Sequence, residues 1–276
     1  MSALTAPPAS VILFDSGIGG LSVAREIRAA MPGLDINYVA DNRIFPYGLQ
    51  KESVLIERVC ALMPILEARY SPGAIVIACN SASTVVLDAL RTQTQVPVIG
   101  VVPAIKPAAA QSQRRVIGLL ATPGTIQRSY TRRLIDQFAN DCTVLLVGSS
   151  ALVSLAENKL RGIPIDLQEV SNIVAPFCHA ETPPDIVVLG CTHFPFLREE
   201  LMQVLPENTR LIDSGEAIAR RTRHILEAQG LEAQGAAFLE RVPTLHFFFT
   251  EETDSAHELA PALLSLGYQD PQYLQI

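Results

Sequence analysis

Two of the five cysteines in this 276-residue chain stand where apolar, β-branched runs stop. In "AIVIACNSAS" (74–83), Cys79 closes the run, and Asn80, Ser81 and Ser83 follow it. In "DIVVLGCTHFP" (185–195), Cys191 takes the same relative place, with Thr192 and His193 behind it. A strand end that opens into a helix offers free backbone N–H donors and the positive end of the helix dipole, and both favour thiolate over thiol. The polar neighbours suit a carboxylate or phosphate ligand. His193 can relay a proton, partner a thiolate, or simply cap a helix. A buried structural cysteine is the plainer reading of either site alone. Finding both in one topological position favours chemistry.

A third strand end, "FDSGIGGLSV" (14–23), carries Asp15 and three glycines at 17, 19 and 20. The glycines permit a tight turn in which backbone approaches a ligand. They do not form the dinucleotide G-x-G-x-x-G fingerprint, and the P-loop lysine is missing. Asp15 can cap the next helix, accept a substrate ammonium, or help a nearby thiol shed its proton. "DNRIFPYG" (41–48) ends a fourth strand with Pro46, Tyr47 and Gly48 in a constrained loop. No metal is expected: Cys191 and His193 are two apart, but C-x-x-C and H-E-x-x-H are absent. No G-x-S-x-G elbow supports a serine hydrolase.

The elements that must position these residues alternate along the chain. Strands are expected at 10–15, 36–40, 74–79 and 96–102, then at 115–121, 143–149, 185–191 and 209–213, with a further one in "TLHFFFT". Amphipathic helical stretches such as "LSVAREIRAAM", "ESVLIERVCALMPILEARY" and "TIQRSYTRRLIDQFA" lie between them. This alternation predicts the α/β class with parallel sheets flanked by helices on both faces. Two similar, pseudo-twofold-related domains are expected, 1–102 plus 214–276 and 103–213, with the site in the cleft between them. The thiols are 112 residues apart (79 to 191), which fits duplicated halves better than a short repeat.

Composition narrows the class. Hydrophobic residues make up 49% and charged residues 18%, as in globular proteins, and the apolar runs are far shorter than a membrane span. "MSALTAPPAS" lacks the basic and hydrophobic regions of a signal peptide, so a cytoplasmic protein is expected. A net charge of −7 argues against nucleic-acid binding, and "RRTRH" (220–224) reads as the solvated end of a helix. Five cysteines without close pairs do not make a disulfide framework. Cys60, Cys142 and Cys178 read as small buried hydrophobes.

With the two strand ends facing across one cleft, a ligand between them has a thiol on each side. Inverting a stereocentre by proton exchange needs this arrangement: one base removes the α-proton, and an acid on the opposite face returns one. Electrostatics must then stabilise the carbanion-like transition state, since no cofactor is expected. A thiol hydrolase or amidase with one nucleophilic cysteine is the rival of a different class.

"DSGIGG", "PYG", "CNSAS" and "GCTHFP", in this order and spacing, resemble the glutamate racemases of the aspartate/glutamate racemase family from about Val11 to Ile225. The resemblance implies cofactor-independent supply of D-glutamate for peptidoglycan by a cytoplasmic, usually dimeric enzyme. It implies Cys79 as the base toward the D-enantiomer and Cys191 toward the L-enantiomer. Asp15 would assist Cys79, and His193 with Glu157 in "SLAENKL" would assist Cys191. Asp15, Ser16, Pro46, Tyr47, Gly48, Asn80, Ser81, Thr125, Thr192 and His193 would form the substrate-binding set. Two mild departures are Ser81, where the family often has threonine, and Phe194, where it often has tyrosine. A sister racemase acting on aspartate or hydantoins is the nearest alternative.

Overall fold

The computed structural model describes residues 10–231 and 241–275. Its ten strands among these residues are β1 (Ser10–Asp15), β2 (Asp35–Ala40), β3 (Ala74–Ile77), β4 (Val98–Gly100), β5 (Val116–Ala121), β6 (Thr143–Gly148), β7 (Ile186–Gly190), β8 (Arg210–Ile212), β9 (Leu245–Phe249) and β10 (Gln272–Tyr273). The helices are α1 (Leu21–Ala30), α2 (Glu52–Tyr70), α3 (Asn80–Gln93), α4 (Ile105–Gln111), α5 (Pro123–Gln127), α6 (Ser129–Phe138), α7 (Ala151–Leu160), α8 (Leu167–Cys178), α9 (Arg198–Val204), α10 (Gly215–Ala228) and α11 (Asp254–Ser265).

The strands form two sheets, ordered β10-β9-β2-β1-β3-β4 and β6-β5-β7-β8. Every pairing is parallel. The segment β2-β1-β3-β4 of the large sheet repeats as β6-β5-β7-β8 in the small one. In each, the chain leaves the first strand to one side and then crosses back to the other. The reversal falls between β1 and β3 in one sheet and between β5 and β7 in the other. Such switch points open a crevice beyond the carboxyl ends of the strands, where ligands bind.

Sequence explains why these strands sit inside. β3 and β7 are continuous apolar runs buried along their whole length, as strands covered on both faces must be. One face of the large sheet packs Val11, Leu13 and Val76 with apolar residues of α1, α10 and α11. The other packs Ile12, Phe14, Ile75 and Ile77 with α2 and α3. The small sheet has its own two clusters, one with α7, α8 and α9 and one with α4. The edge strand β6 is largely open to solvent along its length.

Several expectations need correction. "TIQRSYTRRLIDQFA" is two helices, because Arg128 is extended (φ −71°, ψ 141°) between α5 and α6. "VPVIGVV" yields only the short β4, since Pro97 and Pro103 bound it. β10 was not anticipated; two residues are too short to leave a pattern. "RRTRH" lies within α10 and not at its end, with Arg220, Arg221, Arg223 and His224 exposed and Thr222 buried. Cys60, Cys142 and Cys178 are half-buried. Cys142 precedes the exposed edge strand and Cys178 ends α8, so neither reaches a core centre.

Candidate active site

β1 and β3 are neighbours in register, so their ends bring Asp15 and Cys79 side by side. Asp15 is fully buried, the last residue of β1, and its carboxylate accepts backbone N–H bonds from Ser16 (2.8 Å) and Gly20 (2.7 Å). The tight DSGIGG turn thus wraps the carboxylate. Tyr38 holds it further, donating its hydroxyl to the Gly17 carbonyl at 2.9 Å. Cys79 caps the start of α3, only 5% exposed, with its sulfur 3.9 Å from Ser16 Oγ. Burial pushes the Cys79 thiol well above its ordinary value, and the facing Asp15 carboxylate adds to the rise. The Ala82 amide at the helix start opposes it. Asp15 is itself raised by burial, against the pull of His193 and the Gly20 amide.

The second group is built on β7 and α7. Cys191 directly follows β7 and is 7% exposed, its sulfur 3.9 Å from His193 Nδ1. His193 Nε2 lies 3.0 Å from Glu157 Oε1. Both side chains are buried, and Glu157 comes from the middle of α7. Burial alone would lower the His193 imidazole. Contacts with Cys191 and Glu157 more than offset that and hold it well above its usual value. The thiols therefore differ in their company: a carboxylate beside Cys79, a histidine–carboxylate pair beside Cys191.

The two halves meet through these same loops. A Cβ at Gly19 would lie 2.7 Å from His193 Cε1, so only glycine lets the turn pass over the imidazole. Ser22 Oγ donates to the Thr192 carbonyl at 2.8 Å. Ser81 Oγ is 3.1 Å from Thr122 Oγ1 and 3.3 Å from Thr125 Oγ1. Asn80, at the first turn of α3, is 3% exposed, and its Nδ2 has no hydrogen-bond partner among the described residues. Pro46 and Gly48 are partly buried on the loop facing α5, where a Cβ at Gly124 would collide with the Gly48 carbonyl oxygen. Tyr47 is fully buried, and its hydroxyl donates to Asp41 at 2.6 Å, so this loop offers its backbone and not a phenol. Asp41 is held in turn by Arg58 at 2.8 Å and the Thr250 hydroxyl at 2.6 Å.

Sequence reading missed Thr122, Arg128, Tyr38 and Ser22. Thr122 had a legible signal: a threonine before proline at a helix start is a cap, and it accepts from Thr125 N at 3.3 Å. Arg128 had none. It is buried, donates to the Ser81 carbonyl and to Thr84 Oγ1, and braces the start of α3 from the other sheet. Among the described residues no group of three or more His, Cys, Asp or Glu is placed to hold a metal ion.

Two parallel sheets of like strand order flanked by helices, each with a buried cysteine at its switch point, form an α/β fold of the racemase type. Residues 21–222 match the Asp/Glu/Hydantoin racemase family, and the chain belongs to it. Among its relatives, the glutamate racemase of Klebsiella pneumoniae is 50% identical over 95% of this chain and 90% of its own. That of Escherichia coli K12 is 47% identical over 98% and 93%. The structure of Escherichia coli glutamate racemase with L-glutamate and the activator UDP-MurNAc-Ala superposes with a TM-score of 0.89 at 46% identity, covering 97% of this chain and 98% of that one. Glutamate racemase from Thermus thermophilus gives 0.77 at 28% identity, covering 99% and 98%.

Proposed function

We propose that this chain interconverts L- and D-glutamate by a two-base, cofactor-independent proton transfer. The observation that carries the reading is the matched placement of Cys79 and Cys191 at equivalent switch points, each with its own acid–base company. In the L-to-D direction, Cys191 takes the α-proton, with His193 Nδ1 3.9 Å from its sulfur and Glu157 behind. Cys79, held as a thiol, delivers its S–H proton to the opposite face. No electrons leave the system: one C–H bond breaks and another forms, and the thiols exchange protonation states. The reverse direction uses Cys79 as base with Asp15 beside it.

Substrate recognition in this reading falls to Asp15, Ser16, Asn80, Ser81, Thr125, Thr192 and His193, and to the backbone of Pro46, Tyr47 and Gly48. The unpartnered Asn80 amide supports it, because a buried donor without an acceptor costs about 1–3 kcal/mol unless a ligand supplies one. The first turn of α3 adds backbone N–H donors suited to a carboxylate. The domains in this reading are 1–102 plus 214–276 and 103–213, each built round one sheet. The role in this reading is supply of D-glutamate for peptidoglycan in the bacterial cytoplasm, by a homodimer; the relatives named glutamate racemase support glutamate as the substrate.

The test is circular dichroism of L-glutamate, D-glutamate and L-aspartate incubated with enzyme and no added cofactor. Both glutamate enantiomers should decay to zero ellipticity while L-aspartate persists. Decay of aspartate alone would move the assignment to the sister activity.

A further inference from the structure

Beyond the two thiols and their immediate partners, one half-buried cation, Arg161, ties the Cys191 group to the opposite half of the molecule. Glu157 uses one carboxylate oxygen for His193. Its other oxygen, Oε2, accepts from Arg161 Nη2 at 3.1 Å, one helical turn further along. The Arg161 side chain is only 14% exposed, where α7 ends. The same guanidinium donates to Ser255 Oγ, lies 3.5 Å from Glu258 Oε2, and reaches Asn158 Oδ1 at 3.5 Å. Ser255 and Glu258 belong to α11, whose Ala256, Leu259 and Leu263 are embedded in the core of the large sheet. A cavity of about 240 Å³ adjoins the contact, lined in part by Gly17, Phe45, Glu157 and Ser255. A continuous chain of contacts thus runs from Cys191 through His193, Glu157 and Arg161 to a helix of the other sheet.

We infer that Arg161 is a positioning residue for the Cys191 side of the reaction: it pins the Glu157 carboxylate, and through it His193, against α11 of the opposite half. Glu157 sits on a flexible side chain, and His193 alone leaves its carboxylate free to turn. A single guanidinium nitrogen, Nη2, donating to the second oxygen favours one orientation, because a charge-assisted bond is directional. Anchoring that guanidinium on α11 makes the orientation depend on how the halves are seated. Among the described residues, the Asp15 carboxylate beside Cys79 takes its backbone and tyrosine hydrogen bonds from its own half, from Ser16, Gly20 and Tyr38. The inference rests on the two-base reading and adds an asymmetry to it.

The experiment uses the full chain and α-protiated and α-deuterated L- and D-glutamate. The variants are Arg161→Met, Arg161→Lys and the double variant Ser255→Ala/Glu258→Gln. A ~1 Å misplacement caused by a change away from the chemistry costs about 100-fold, and about 10-fold is expected for the smaller displacement in Arg161→Met. Equilibrium forces kcat/KM down equally in both directions, so the isotope effects carry the information. With the Cys191-side transfer made slow, the deuterium effect on L-glutamate should rise and that on D-glutamate should fall. Arg161→Lys should recover part of the rate. The double variant, altered only on the α11 side, should shift the isotope effects the same way and decides the matter should Arg161→Met not fold. Wild-type turnover with both isotope effects unmoved, or moved alike, in the variants overturns the inference and leaves the two-base reading standing. A wild type that does not racemise glutamate overturns both.

Discussion

Replacing Gly19 with alanine should cripple the enzyme while leaving its fold. The added methyl would stand 2.7 Å from His193 Cε1 and 2.8 Å from Cγ, with Nδ1 closer still. Ordinary carbon contacts begin near ~3.5 Å, so the ring must retreat by roughly 0.7–1 Å. It has little room: Nε2 is bonded to Glu157 at 3.0 Å, and the ring is only 3% exposed. The backbone at Gly19 is not in the left-handed region, so alanine brings no conformational penalty of its own. The overpacking should cost about 1–3 kcal/mol of stability. A displacement near 1 Å at a proton-transfer group costs on the order of 10²-fold in rate. Gly17→Ala offers a graded comparison, because its methyl would meet Glu157 Oε1 and Phe45 at 3.0 Å, a milder clash. The assay is kcat/KM by circular dichroism for both variants, with a denaturant melt to confirm folding. Gly19→Ala activity within a few-fold of wild type, or below-par Gly17→Ala activity with Gly19→Ala intact, would refute the close-approach argument.

Cys79→Ala and Cys191→Ala should each abolish racemisation, since either face then lacks its acid or base; full turnover in both directions by either variant counts against two bases. In D₂O, product formed early should carry α-deuterium and recovered substrate much less, as read by proton NMR; equal labelling at low conversion would mean a single base. Asp15→Asn should slow exchange at the Cys79 face more than at the Cys191 face, and His193→Asn the reverse, by ~10²–10⁴-fold; exchange from each enantiomer measures it. Arg58→Met should leave the fully buried Asp41 without its cation and lower stability by about 3 kcal/mol in a urea titration, loosening the Tyr47 loop with it.

The strand ends were legible because their signal is local. An apolar run closing in Cys-Asn-Ser or Cys-Thr-His reads directly as a buried strand meeting a helix, and β3 with α3 has that form. What escaped was carried by pairs far apart in the chain. Ser22 meets the Thr192 carbonyl across 170 positions, and nothing around either residue announces the other. Arg128 looked like one more position on a helical face. Its extended backbone becomes intelligible only once its guanidinium is seen bracing Ser81 and Thr84. Glu157 was drawn from a loose motif, and the structure seats it on His193. The resemblance counts Tyr47 among the substrate-binding residues without saying which atoms it offers, and the structure bonds its hydroxyl to Asp41.

The repeated strand order has a consequence for handedness. Two enantiomers are mirror images, yet a chain of L-residues can repeat itself by rotation and never by reflection. Duplicating one switch-point motif therefore supplies two chemical stations without making them equivalent. In the proposed mechanism each meets its own antipode with its own equipment, an aspartate on one side and a histidine–glutamate pair on the other. Thermodynamics obliges the enzyme to treat the antipodes evenly in net conversion, but no symmetry obliges the two transition states to match. Compounds imitating one antipode should accordingly select one station, and chirality alone gives a way to address half of the site.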